Sequence, residues 1–388
     1  MGKKLSTRIY TMAFGGSGIG KIDGKVCFVE GALPGEEVTF DAEKETSSYI
    51  KGRVTEVKNP SHDRVDPVCR HYRVCGGCQL QHVSYAKELA HKQQQVVELI
   101  GKIAGERDID CCDIIASDRE YNYRSSVTLH KSGTGYGYYA SGSRKVIDID
   151  ECPVAAEAIN AELGGLRGSK KDITLKADHL GNVWSSDRSG HRYFTDRYYG
   201  TEIVLSPKAF SQVNRHIAER IAQTLDEWIA TPDGESTFFD AYCGAGFFSF
   251  VLKTDFTTRI GMDIDRVAID CAKTTAKKYT TKNAKFYRAD AAEELFGLLE
   301  RHDSSRNILL IDPPRRGVEK KFLEAIGARD DIAEIYYLSC DPARLARDIK
   351  IIVDGGLWKL GRVQPFDMFP QTKHIETLVE FVKQGGRS

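Results

Sequence analysis

The chain has 388 residues, 41% of them hydrophobic, with 55 basic and 55 acidic side chains. A single core rarely grows past about 250–300 residues, so two or three domains are expected. The charge balance excludes a bulk positive field as the means of holding nucleic acid, and any RNA contact must come from local patches and shape. No run reaches the ~18 apolar residues of a membrane span, and the start at Met1-Gly2-Lys3-Lys4 lacks an apolar leader, which predicts a cytoplasmic protein without membrane contact. Ten unevenly spaced cysteines point to thiols and metal ligands rather than to a disulfide framework.

Residues 1–58 alternate apolar and polar positions, as in Arg8-Ile9-Tyr10-Thr11-Met12 and Lys25-Val26-Cys27-Phe28-Val29. Turns at Gly15-Gly16-Ser17-Gly18 and Leu33-Pro34-Gly35-Glu36 separate these runs, and the pattern predicts a small OB-like β-barrel. Lys21, Lys25, Tyr49, Lys51 and Arg53 can give it a basic, partly aromatic face for RNA. A barrel that only docks protein fits the composition equally well.

Residues 59–205 read as a β-rich central domain. Cys69, Cys75 and Cys78 form a C-x5-C-x2-C arrangement, and Cys152 follows in Asp150-Glu151-Cys152-Pro153. Four thiolates suit a structural zinc or a [4Fe–4S] cluster, and a redox-active CxxC pair beside two unrelated thiols is the alternative. Cys27, Cys111, Cys112, Cys243 and Cys271 read as packing residues. A helix is expected over 85–103, with Leu89, Val96, Val97, Leu99 and Ile100 on one side, and strands over about 121–205. Tyr121-Asn122-Tyr123-Arg124 can touch RNA by stacking and phosphate pairing, or serve as ordinary sheet aromatics with a solvated arginine.

From residue 206 to 388 strands alternate with helices, as a Rossmann-like doubly wound α/β sheet requires. Phe238-Phe239-Asp240-Ala241-Tyr242-Cys243-Gly244-Ala245-Gly246 is a buried strand running into a glycine turn, where Gly244 and Gly246 let a ligand approach the backbone. Asp263 ends the next strand 23 residues after Asp240, the spacing of an acid that holds a nucleoside ribose. Ser249 stands where a dinucleotide fingerprint has its third glycine, so an S-adenosylmethionine pocket fits better than a nicotinamide one. Asp290 fits an adenine contact or a helix cap, and Asp312, at the end of the fourth strand, faces cofactor and target base together. Cys340 follows the apolar run Ile335-Tyr336-Tyr337-Leu338 and is stopped by Pro342, which makes it a candidate thiol nucleophile at the sheet's carboxyl edge.

The glycine run and FVEGALPGE stretch of residues 1–58 resemble the TRAM domain, an RNA-binding module. With the four cysteines, Phe210-Ser211-Gln212, DAYCGAG, DPPRRG, SCDPARLARD and DMFPQTKHIE, the chain resembles RNA uracil-5 methyltransferases from end to end. The resemblance implies a Rossmann-like S-adenosylmethionine methyltransferase domain, an N-terminal OB-like barrel and a central iron–sulfur domain. It implies that Gln212, Tyr242, Asp263, Asp290 and Asp312 contact S-adenosylmethionine, and that Cys69, Cys75, Cys78 and Cys152 hold a [4Fe–4S] cluster. Glu376 would be the general base, with His374 orienting its segment. The RNA would be 23S rRNA, which relatives with both the TRAM domain and the cluster mostly modify, with the tRNA T-loop as the alternative. A monomer is expected.

The chemistry accounts for the same residues. Uracil C5 is too weak a nucleophile to take a methyl group directly, so a Cys340 thiolate adds to C6 and activates C5, and a base then removes the C5 proton. The target base must first be flipped out. The pocket is expected to lower the thiol pKa from about 8.5. The chain departs from the family at Phe247, which removes a polar contact from the glycine turn, and at Asp263, a shorter acid than the usual Glu. It departs also at Asp341, which would raise the Cys340 pKa if both face one pocket. Two other readings fit less: a cytosine-5 methyltransferase, whose two-cysteine pattern is absent, and an RNA-binding protein that no longer turns over.

Overall fold

The computed structural model describes residues 3–133, 135–166, 171–281, 283–302, 304–315 and 317–385. Between Lys3 and Val57 six strands form one sheet, with Lys3–Arg8 at one edge and Thr11–Met12 at the other. These edges are consecutive pieces of one stretch broken at Ile9-Tyr10, so the sheet curls round on itself, and Tyr10 N donates to Ile19 O at 2.9 Å. The expected barrel is thus an open sheet of barrel-like curvature. At the break Ile9 turns fully inward and its N–H donates to Glu36 O instead of continuing the ladder. Alternation places Cys27, Val29, Val38, Phe40, Ile50 and Val54 inside with Ile9. Of the cations expected to face RNA, Lys25 pairs with Glu45 at 2.7 Å and Arg53 with Glu30 at 3.1 Å.

The central sheet is antiparallel, built from Ser126–Ser132, Gly135–Tyr139, Val146–Asp148, Ile173–Ala177 and Val183–Ser185. Helix Glu157–Leu163 covers one face, where Ile159 and Leu163 meet Val127, Leu129, Ile173 and Leu175. A separate hairpin, Phe194–Tyr198 with Thr201–Leu205, packs toward the C-terminal half.

Seven strands of the C-terminal half are β1 (Ser236–Ala241), β2 (Thr258–Asp263), β3 (Ala284–Arg288), β4 (Arg306–Ile311), β5 (Ile332–Ser339), β6 (Trp358–Phe366) and β7 (Glu376–Lys383). Their order is β3-β2-β1-β4-β5-β7-β6, parallel from β3 to β5, with β7 antiparallel between β5 and β6. Both faces are covered, so β4 reads Ile308-Leu309-Leu310-Ile311 without alternation: Ile308 and Leu310 enter one core, Leu309 and Ile311 the other.

Residues from the 59–205 stretch complete this layer. Asp110–Cys111 adds a parallel strand outside β6, pairing with Arg362 and Val363. Helix Tyr85–Leu99 and the π-helical turn Ile100–Ala104 that continues it send Val96 and Ile100 into the core with Leu345, Ala346 and Ile349. Among the described residues no helix is long and apolar enough to cross a membrane.

Candidate active site

Strand order reverses between β1 and β4, which puts the ligand crevice at their carboxyl ends. Beyond β1 the backbone enters the left-handed region at Tyr242 (φ 65°), Gly244 (φ 54°) and Gly246 (φ 80°). A tyrosine held there is strained, a feature that clusters at ligand sites. A Cβ on Gly244 would meet nothing within 4 Å, so this backbone is open to a ligand. A Cβ on Gly246 would come within 2.8 Å of Phe250 and 2.9 Å of Phe286, so Gly246 serves the packing beneath the turn.

Gln212, Tyr242, Gly244, Phe247 and Asp312 line the crevice, and Phe210, 66% exposed, stands at its lip. Phe247 packs edge-on against Tyr198 and Phe248 and forms an apolar wall of the crevice. Asp263 braces the turn, accepting from Gly244 N at 2.9 Å and Asp265 N at 2.7 Å. Asp290 caps helix Ala291–Arg301 through Ala292 N at 2.9 Å and borders a neighbouring groove with Ile264 and Tyr287. The structure therefore gathers four of the predicted cofactor residues in one crevice and sets Asp263, Gly246 and Asp290 around it.

Asp240, given no role in the sequence reading, is fully buried here. Its Oδ2 accepts from Ser249 N at 3.1 Å and Ser249 Oγ at 2.6 Å, while Oδ1 has no hydrogen-bond partner among the described residues. The serine that interrupts the glycine pattern is thus the donor to this acid. Burial, tempered by the Ser249 bonds, pushes Asp240 up to about 7. Burial and then the charges of Asp240 and Asp263 push Asp312 up to about 8.

The register of β5 and β7 sets the second half of the site. Ser339 lies opposite Thr377, so Cys340 and Glu376, the residues just beyond that pair, are neighbours at the carboxyl edge of β5. Ile311 lies opposite Tyr337 and brings Asp312 to the same edge. Burial lifts Glu376 well above the carboxylate range, Asp312 adds to this and Arg315 opposes it. The Cys340 thiol is pushed up to about 12 by burial first, then by Glu376 and Asp312, against a hydrogen bond and charge from Arg315. The expected lowering is therefore reversed in the RNA-free protein. Asp341 does not face the thiol: its carboxylate caps helix Pro342–Asp354 through Ala343 N at 3.1 Å and Arg344 N at 3.2 Å. No local pattern marks Arg315, because the groups it serves lie 25 and 61 residues further along the chain.

Tyr123 is buried and donates from its OH to Pro370 O at 3.0 Å, so it supports the segment before Glu376 instead of offering a ring to RNA. Arg124 Nε donates to Ser126 O at 3.0 Å. Cys69, Cys75, Cys78 and Cys152 all line a cleft of about 870 Å³ that also reaches Phe210, Lys373 and His374. Backbone and side-chain contacts shape their loops: Cys69 N donates to Gln81 Oε1 at 3.0 Å, and Cys152 N to Asn160 Oδ1 at 2.9 Å. Burial raises the thiols of Cys75, Cys78 and Cys152, and their mutual charges add to it. Among the described residues no group of three or more His, Cys, Asp or Glu side chains is placed to hold a single metal ion.

Residues 166–384 match the family model described as tRNA (uracil-5-)-methyltransferase, and residues 8–55 match the TRAM domain. An uncharacterized RNA methyltransferase of Thermosynechococcus vestitus is 30% identical, with 97% of each chain covered. The chain belongs to the uracil-5 RNA methyltransferase family. It is by that membership an S-adenosylmethionine-dependent RNA methyltransferase acting at uridine C5. A Vibrio parahaemolyticus relative, the 23S rRNA (uracil(1939)-C(5))-methyltransferase RlmD, is 29% identical over 95% of this chain and 93% of its own. The fold matches that of the Pyrococcus abyssi tRNA (uracil-54, C5)-methyltransferase, solved with S-adenosyl-L-homocysteine, at a TM-score of 0.73 and 20% identity over 97% of this chain and 100% of that one.

Proposed function

We propose that the chain methylates C5 of a uridine in 23S rRNA, with Cys340 as nucleophile and Glu376 as general base. The observation that carries the reading is the Ser339–Thr377 pairing, which makes these two residues neighbours at the carboxyl edge of β5, near Asp312 of the crevice. As the thiolate, Cys340 Sγ adds to C6 of the flipped uracil, and the C5=C6 electron pair shifts to give an enolate at the C4 carbonyl, which makes C5 nucleophilic. S-adenosylmethionine, when bound, supplies the methyl group that C5 takes. Glu376 then accepts the C5 proton, C5=C6 re-forms, and the C6–Sγ bond breaks to return the thiolate. Arg315, beside both groups, offsets the negative charge that gathers there. Gln212, Tyr242, Gly244 and Asp312 would hold the cofactor, with Asp263 and Asp290 toward its ribose and adenine and Gly246 keeping the turn in shape.

Residues 1–58 would carry RNA binding, 59–205 the metal domain and 206–388 the chemistry. The four cysteines would hold a [4Fe–4S] cluster. The four cysteines line one cleft, and four thiolates suit either a four-iron cluster or zinc; the family resemblance favours the cluster. Equimolar iron and sulfide in anaerobically purified protein is the expected result, and stoichiometric zinc would overturn it.

The ribosomal substrate is favoured by the relative from Vibrio, which aligns with almost the whole chain. The test is labelled methyl transfer to unmodified 23S rRNA and unmodified tRNA, with Cys340→Ala as control and nucleoside digestion of the products. Label in 5-methyluridine from ribosomal RNA alone is expected, and its loss in Cys340→Ala. Label from tRNA alone would overturn the substrate and leave the mechanism.

A further inference from the structure

β7 begins at Glu376, which pairs with Phe366 in β6, and residues 367–375 cross between them. Hairpin loops of two to five residues fix their own shape, whereas one this long must be held from outside. The holders come from residues 79–123. Lys92, 1% exposed, donates from Nζ to Asp367 Oδ1 at 2.6 Å, to Glu88 Oε1 at 2.6 Å and to Phe369 O at 3.2 Å. Tyr85 OH donates to the other oxygen of Asp367 at 2.8 Å, and Gln371 N donates back to Glu88 Oε1 at 2.8 Å. Gln371, held in the left-handed region at φ 68°, has its carbonyl bound by Gln79 N at 3.1 Å and Leu80 N at 3.0 Å. Tyr123 adds its bond to Pro370 O.

Dry ion pairs of this kind contribute little net stability, because desolvating the charges offsets their attraction. What Lys92 does supply is geometry: one ammonium fixes two points of the crossing segment and the helix beneath it. We propose that Lys92 is a positioning residue that aims Glu376 at the C5 proton, so that it governs the release of methylated RNA from Cys340 more than the formation of the adduct. The proposal rests on the assignment of Cys340 and Glu376 above.

The experiment is a single turnover with a uridine-containing RNA fragment and methyl-labelled S-adenosylmethionine, quenched in denaturant to score the covalent protein–RNA adduct against free methylated RNA. Wild-type enzyme forms adduct and releases it. In Lys92→Met adduct forms at the wild-type rate and with unchanged RNA affinity, but methyl-labelled adduct accumulates because release slows roughly 10- to 100-fold, the scale of a small misplacement of a catalytic group. Equal slowing of formation and release, or weakened RNA binding with normal release, would overturn the proposal. Tyr85→Phe loosens Asp367 without leaving a charge unpaired; it decides the matter if Lys92→Met fails to fold, with a smaller build-up of adduct expected and no build-up overturning the idea. If the wild-type enzyme forms no adduct that depends on Cys340, it is the underlying assignment that fails.

Discussion

Cys340 sits among groups that oppose its ionisation, and among the described residues Arg315 favours the thiolate. Because the thiol lies at about 12, it is protonated throughout the neutral range, and the thiolate fraction grows with pH until that value is passed. Alkylation of Cys340 by iodoacetamide in the RNA-free enzyme should therefore rise about tenfold per pH unit across roughly pH 7 to 9, and Arg315→Met should lower the rate at every pH. A flat profile, followed by mass spectrometry of the Cys340 peptide, would contradict this. Asp341→Asn should leave the alkylation rate alone and cost at most a few tenths of a kcal/mol, since Asn caps a helix about as well as Asp. The place of Cys340 just beyond β5 was legible in the sequence because an apolar run followed by a proline marks where a strand ends. The direction of Asp341 was not, since a cap and a pocket are both open to an acid at that position. Which basic residue would meet the thiol was hidden too, because that depends on how β4 and β5 align.

At the scale of elements, the turn after β1 separates two uses of glycine. Gly246→Ala forces a side chain into the left-handed region, at about 1–2 kcal/mol, and crowds Phe250 and Phe286 as well. Gly244→Ala bears only the conformational cost, but its methyl would stand in the crevice. Thermal unfolding should fall more for Gly246→Ala, while S-adenosylhomocysteine affinity measured by calorimetry should fall at least as much for Gly244→Ala despite its smaller loss of stability. The strands around this turn were readable because a parallel sheet covered on both faces writes long apolar runs. The first sheet was harder: alternation announced its strands, but the break at Ile9 depends on a bond to Glu36 that no local pattern predicts. The burial of Tyr123 is hidden from the sequence for a related reason. Its neighbours Tyr121 and Arg124 look like surface residues, and its partner Pro370 is 247 residues away.

At the scale of the whole molecule, the C-terminal sheet borrows an edge strand and a helix from much earlier in the chain. A fragment of residues 206–388 would leave β6 with an open edge and Leu345, Ala346 and Ile349 uncovered, which favours aggregation. On size-exclusion chromatography it should elute as aggregate, and a fragment beginning near residue 80 should elute as a defined species; a monodisperse short fragment would show the borrowed pieces to be dispensable. The strand–helix alternation of the C-terminal half was readable in the sequence. A helical stripe of apolar residues, however, says that a helix must pack and not on what, so the partner of Val96 and Ile100 could not be read from it. The same borrowing bears on biogenesis. As the chain leaves the ribosome, the helix over 85–99 emerges more than two hundred residues before the surface it covers. At about 5–20 residues per second it waits some ten seconds or longer with its apolar side unsatisfied, a window in which a chaperone can bind it before the sheet arrives.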